Sequence, residues 1–122
     1  YVVSNGLMSV HWEKTAHLRK RFTREFLPMV QDNAKQDDIE NAAWDILEDE
    51  RKVIPELLPA TGISPEMEQL LSSTFIQSPI YGTRCSNFLN MRNQQWNWLE
   101  KTQAGELKDQ IIDLTIPLNQ QS

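Results

Sequence analysis

Apolar positions in the first part of the chain repeat with helical spacing. Leu18, Phe22, Phe26, Met29 and Val30 recur every four or three residues, one stripe that predicts a helix beginning near Thr15. Pro28 has no N–H to donate and its ring crowds the preceding turn, so that helix should kink or end near Leu27. Arg19, Lys20, Arg21 and Arg24 fall mainly off the stripe and read as a solvated face; contact with an anion or a lipid headgroup is the sharper alternative. Residues 32–38 are polar and read as a loop. A second stripe follows in Ile39, Ala42, Ala43, Ile46 and Leu47, with Asp37 placed to cap the first free N–H groups and Glu40 to return the bond. Glu48, Asp49 and Glu50 then put negative charge at a helix C-terminus, against the dipole, and that end is expected to fray or lie in water.

Pro55, Pro59 and Gly62 break the next stretch into a loop holding Leu57 and Leu58. Ser64-Pro65-Glu66 is a helix start, with a hydroxyl cap, proline at the first helical position and an acid in the first turn; Met67, Leu70 and Leu71 form its buried side. After Ser73 the period falls to two. Thr74-Phe75-Ile76 reads as a short strand. Residues 83–91 alternate, with Cys85, Leu89 and Met91 on one face and Arg84, Ser86, Phe88 and Asn90 on the other. Arg92-Asn93-Gln94 predicts a turn, and residues 95–101 run back with Trp96 and Trp98 on one face. Gly105 ends that strand. Residues 107–118 predict a last strand, with a helix over 106–114 as the alternative and a fraying Gln-rich tail. At the other end, Tyr1-Val2-Val3 reads as a strand stopped by Asn5-Gly6. The class is therefore α+β, helices first and antiparallel strands second. A sheet of two or three strands must be covered, and three short helices fall short of that, so the chain reads as a single region, 1–122, belonging to a larger layered structure. A start at Tyr1 rather than Met fits a fragment or processed product.

Composition adds mainly exclusions. The 122 residues are 39% hydrophobic and 24% charged, with four Gly and six Pro, unlike a disordered or collagen-like chain. No run of 18 apolar residues is present, so no membrane-spanning helix is expected. A net charge of -5 is a poor electrostatic footprint for nucleic acid. The single cysteine, Cys85, forms no intrachain disulfide, which together with the lack of a signal peptide makes a reducing cytoplasm the default.

No complete catalytic apparatus is legible. His11 and His17 are six apart, with no metal-ligand spacing, so no metal and no cofactor are assigned. Cys85 in an alternating strand reads as a buried structural thiol. Trp12 and Tyr81 read as core. Two segments stand out: Ser4-Asn5-Gly6-Leu7-Met8 at the end of an apolar run, and Ser78-Pro79-Ile80-Tyr81-Gly82-Thr83-Arg84 leading into a strand.

These segments belong to an ordered set. Val3-Ser4-Asn5-Gly6-Leu7-Met8 with Trp12-Glu13-Lys14, then Leu58-Pro59-Ala60-Thr61-Gly62, then Leu71-Ser72-Ser73-Thr74-Phe75-Ile76 with Tyr81-Gly82-Thr83-Arg84, and finally Trp98-Leu99-Glu100 stand in the chain in that order. Together they resemble the C-terminal half of the NRDE family, also called the transport and Golgi organisation family, with its blocks "LSNALLDTPWPK", "LPDTG" and "LSSIFI…YGTRSST". The chain departs from them at His11, Cys85, Asn87 and Lys101, and the family's N-terminal Met-Cys and Asn-Arg-Asp-Glu segment are not in it.

The resemblance implies an N-terminal-nucleophile (Ntn) hydrolase-like αββα sandwich, of which this chain is the C-terminal half. In such enzymes an N-terminal Cys attacks an amide carbonyl. By this resemblance Asn5 is a candidate oxyanion donor and Arg84 a candidate carboxylate clamp, with Ser4, Tyr81 and Thr83 as ligand-binding candidates. The implied partner is the N-terminal half of the same protein or another copy, and the activity amide hydrolysis or acyl transfer. A second reading is a non-enzymatic binding or carrier protein for haem or an acyl thioester, motivated by four Trp and four Met among few polar candidates.

Overall fold

The computed structural model describes residues 1–4 and 12–118. The expected turn at Asn5-Gly6, the candidate Asn5, His11 and the Gln-rich tail lie outside them. The chain is α+β and divides into two compact units, Tyr1–Tyr81 and Gly82–Ser122.

In the first unit, α1 (Glu13–Arg21) runs into a π-helical turn, Phe22–Phe26, and on into α2 (Leu27–Gln31). The kink or end expected near Leu27 is thus replaced by a widened turn just before Pro28. Leu27 N–H reaches back five residues to Phe22 O, which gives the proline ring room without ending the helix. The same turn stacks Phe22 on Phe26, ring centroids 5.2 Å apart. α3 (Gln36–Leu47) packs along this π turn. Ile39, Ala43 and Ile46 of α3, with Phe26 and Phe75, form the buried apolar core of the unit.

Both expected end devices of α3 differ from the reading. Its N-cap is Lys35, with no side-chain cap bond. Asp37 lies inside the first turn, where its charge still meets the positive end of the dipole. Glu40 accepts from Gln36 Nε2 at 2.9 Å, a bond along the helix surface rather than back to the cap. The acidic C-terminal end does not fray. Asp49 Oδ2 meets His17 Nε2 at 2.7 Å and accepts from Arg21 Nη1 at 3.2 Å, and Asp49 Oδ1 accepts from Arg51 N–H at 2.9 Å. Arg21 also bonds Glu25 and Asp45, so it is a tie between α1 and α3 and not part of a solvated face. Two α1 side chains meet the acidic end of α3: Arg21 brings positive charge and His17 a hydrogen-bonding ring nitrogen.

A 3₁₀ turn, Pro55–Leu57, and α4 (Pro65–Leu70) complete the unit. Here the reading holds: the Ser64 hydroxyl accepts from Met67 N–H at 3.2 Å and Pro65 stands at the first helical position. The two expected strands of this unit do not form. Tyr1-Val2-Val3 has no ladder partner. Thr74-Phe75-Ile76 is irregular because Phe75 N–H is taken by Asp49 O (2.8 Å) and Phe75 O accepts from the Ser73 hydroxyl (2.5 Å), while the ring enters the core.

The second unit is an antiparallel sheet of order β1 (Cys85–Arg92), β2 (Gln95–Thr102), β3 (Ile111–Pro117). Asn93 and Gln94 both have positive φ and join the paired residues Arg92 and Gln95, the two-residue turn whose twist matches a hairpin. The last strand starts at Ile111, later than expected. Residues 103–110 instead form a turn in which Gly105 and Asp109 take positive φ, and no helix forms over 106–114. Pro117, with no N–H to give, sits at the end of an edge strand. Register places Leu89, Trp98 and Leu114 across from one another, and Met91, Trp96 and Ile116 likewise. The expected alternation is therefore present. This apolar face is the exposed one (Trp98 is 44% exposed), whereas Leu99 and Ser86 on the opposite face are buried. Cys85 shares the open face, so it is exposed, contrary to the buried thiol read from the pattern.

Candidate functional site

The first unit carries a cleft of about 540 Å³. Its walls come from the entry to α1 (Trp12, Glu13, Lys14), the loop before α4 (Val53, Pro59, Thr61, Ile63), α4 and its exit (Glu68, Leu71, Ser72), and Ser4, Ile76 and Tyr81. The loop is held by side chains rather than by a ladder. Ser72 Oγ donates to Gln69 O at 2.6 Å and accepts from Val53 N–H at 2.8 Å, which ties the segment before the 3₁₀ turn to the end of α4. Ser72 is buried for this reason.

Three charged side chains line this space, Glu13, Lys14 and Glu68, and the bonds of the last two define its chemistry. Lys14 lies in the first turn of α1 and donates through Nζ to Leu71 O at 3.1 Å. Leu71 is the C-cap of α4, so the ammonium satisfies a carbonyl that the helix itself leaves without a partner. Among the described residues no carboxylate pairs with Lys14. Burial pushes its ammonium below the ordinary lysine range. Glu68 is the other group, only 7% exposed. Its Oε1 accepts from Thr61 N–H at 2.7 Å and also from the Thr61 hydroxyl. That pair pins the Leu58-Pro59-Ala60-Thr61-Gly62 loop onto α4. Another hollow of about 390 Å³, lined by Pro55, Leu58, Gln69 and others, shares Pro59, Ile63 and Glu68 with the cleft.

Of the residues singled out from sequence, Ser4 and Tyr81 line the cleft. Tyr81 is 56% exposed and does not belong to the core; its backbone N–H and C=O both bond the Ser78 hydroxyl, closing a tight turn. Trp12 is half-buried in the cleft wall. Asn5 lies outside the described residues. Thr83 and Arg84 belong to the second unit, where Arg84 is exposed and its carbonyl accepts from Gln103 N–H at 2.8 Å. Lys14, Thr61 and Glu68 were not singled out. Lys14 and Thr61 stand inside the quoted blocks, and the signal for Glu68 was an acid on the side of α4 that the apolar spacing buries.

The blocks that shape the cleft are thus the same ones that the sequence set apart. Compared with known families, residues 1–104 match the family described as transport and Golgi organisation 2. The chain belongs to the transport and Golgi organisation 2 family. The match spans every quoted block, from Val3 to Lys101, and the cleft residues Glu13, Lys14 and Glu68. The curated proteins and solved structures compared with the chain yield no match. Among the described residues, no cluster of three or more His, Cys, Asp or Glu could hold a metal ion, and no helix is long and apolar enough to cross a membrane.

Proposed function

We propose that this family member is a binding or carrier protein whose cleft holds an amphiphilic anion, a small molecule with an apolar body and an acidic head, of which an acyl thioester or haem is an example. The observation that carries this reading is Lys14, a half-buried ammonium with no carboxylate partner among the described residues, in a cleft whose walls include Trp12, Val53, Ile63, Leu71 and Ile76. Apolar walls with a few convergent polar groups are the ordinary anatomy of a small-molecule site. A desolvated cation there gains most from an arriving anion. The lone cysteine fits a reducing, cytoplasmic setting.

The test is a titration of the protein with dodecanoyl-CoA and with haem, followed by tryptophan fluorescence, since Trp12 lines the cleft. Saturable binding of at least one is expected, weakened about tenfold in Lys14→Gln, the loss of roughly 1.4 kcal/mol. Affinity should fall with rising pH, and earlier than for an ordinary lysine, because burial lowers the Lys14 pKa. If neither compound saturates, the reading is wrong.

Arg84 favours a second reading. It is exposed, and its guanidinium has no ion pair among the described residues, so its planar fork is open to a carboxylate. In that reading the chain is the C-terminal half of an Ntn-hydrolase-like sandwich. The nucleophilic cysteine then comes from an N-terminal half of the same protein or from another copy, and Asn5 meets the oxyanion of an amide or acyl substrate. The exposed apolar face of the sheet is consistent with a layer supplied in this way. Amide and acyl-ester hydrolysis by the full-length protein should drop at least a hundredfold in Asn5→Ala, the size expected for one lost oxyanion donor; equal rates would remove Asn5 from the mechanism.

A further inference from the structure

The cleft holds an anion as well as a cation. Both bonds from Thr61 go to Glu68 Oε1, and among the described residues nothing donates to Oε2 and no cation pairs with the carboxylate. Lys14 and Glu68 do not neutralise each other either. Their separation follows from α4. Lys14 Nζ is anchored on Leu71, and Leu71 stands three residues beyond Glu68, about one helical turn or roughly 5 Å along the axis. One cleft therefore presents a positive group held at the end of α4 and a buried carboxylate whose residue stands about one turn earlier on that helix, with Glu13 as a further carboxylate in the wall.

We infer that the cleft selects a zwitterionic amphiphile, an apolar tail on a head carrying ammonium and carboxylate together, with Lys14 receiving the carboxylate and Glu68 the ammonium. This rests on the binding reading above and narrows its ligand class. An anion without a donor group would meet Lys14 but leave Glu68 Oε2 without a donor, or facing like charge. A head of both signs satisfies the two at once, and the discrimination comes from the buried group left unpaired by the wrong ligand. Thr61 has a positioning role: its two bonds fix Oε1, and so aim the carboxylate.

The experiment compares dodecanoic acid with 2-aminododecanoic acid, which share the tail and the carboxylate and differ by one ammonium, by calorimetric titration of the protein below their aggregation concentrations. The amino compound should bind about tenfold tighter to wild type, and that preference should vanish in Glu68→Gln, which keeps both acceptor bonds from Thr61. Circular dichroism confirms that the variant is folded. If it is not, dodecylamine is titrated against Lys14→Gln with and without Glu13→Gln: binding that survives the loss of Glu13 supports Glu68, and binding that needs Glu13 overturns it. Equal binding of the two acids to wild type, or a preference that survives Glu68→Gln, overturns the assignment of Glu68 and leaves the binding reading standing. Failure of both acids to bind overturns both.

Discussion

Replacing Ile46 by Ala is expected to destabilise the first unit by about 3 kcal/mol, within the usual 2–5 kcal/mol for deleting a buried aliphatic side chain. Ile46 is 4% exposed on the inner side of α3, and the core it joins is small: Phe26, Ile39, Ala43 and Phe75 are the other buried apolar side chains of that unit. With so few members, little can move in to fill the vacated volume. The transferred apolar area and the residual cavity then add. For a unit of this size each kcal/mol shifts the melting midpoint by about 4–8 °C, so a fall of more than about 10 °C is the expected calorimetric result. Ile80 is the control. It lies in the same unit at 82% exposure, and Ile80→Ala should change stability by less than about 0.5 kcal/mol. Similar losses at the two positions would show that the core has been misplaced.

Asp49→Ala is the second large effect, about 2–3 kcal/mol. Removing this carboxylate leaves Arg51 N–H and His17 without their acceptor and takes one of three acidic partners from Arg21. The Arg21 guanidinium, held first by Glu25 and then by Asp45, stays more firmly protonated than usual, so the loss falls mainly on His17 and the Arg51 turn. The pH dependence has a definite sign. Burial pushes the Asp49 carboxyl up, but the bonds from Arg51 N–H, His17 and Arg21 together outweigh it and set the pKa below the ordinary value. A carboxyl whose folded pKa is depressed contributes stability above its unfolded pKa and loses it as pH falls through the folded one. The stability gap between wild type and Asp49→Asn should therefore be full at neutral pH and close progressively below about pH 4. Urea melts at a series of pH values measure it; a gap that does not change between pH 6 and pH 2 would rule out the charged pairing.

The sites of these two effects were unequally legible. Ile46 was readable because a helix buries one stripe, and the 3.6-residue period marks which side chains share it. The role of Asp49 was not, since three acids at a helix end predict repulsion unless a neighbouring helix brings partners to them. That pairing joins residues 28 and 32 apart in the chain, and no local pattern encodes it. The same contrast runs through the sheet. Alternation put Leu89, Met91, Trp96 and Trp98 on common faces, as the register bears out. It left open which face is covered, and Cys85 was misread as buried for that reason.

The candidate site divides in the same way. The blocks around Ser4, Thr61 and Tyr81 were visible as ordered segments, and the family follows from them. The two charges that give the cleft its chemistry were not. Lys14 and Glu68 are ordinary surface residues by type, and each gains meaning only from a distant partner, Leu71 O for one and Thr61 for the other.

Sequence alone determined the helical and two-residue periods, the Ser64-Pro65 helix start, the turn at Arg92-Asn93-Gln94 and the α+β class, because each depends on the geometry of a few consecutive residues. Only tertiary structure decided that Pro28 is met by a π turn, that Phe75 enters a core rather than a strand, and that one cleft gathers a cation and an anion. Those outcomes depend on which orphaned N–H, carbonyl or charge finds a partner across the fold, and a buried polar group accepts whichever partner the packing brings within reach.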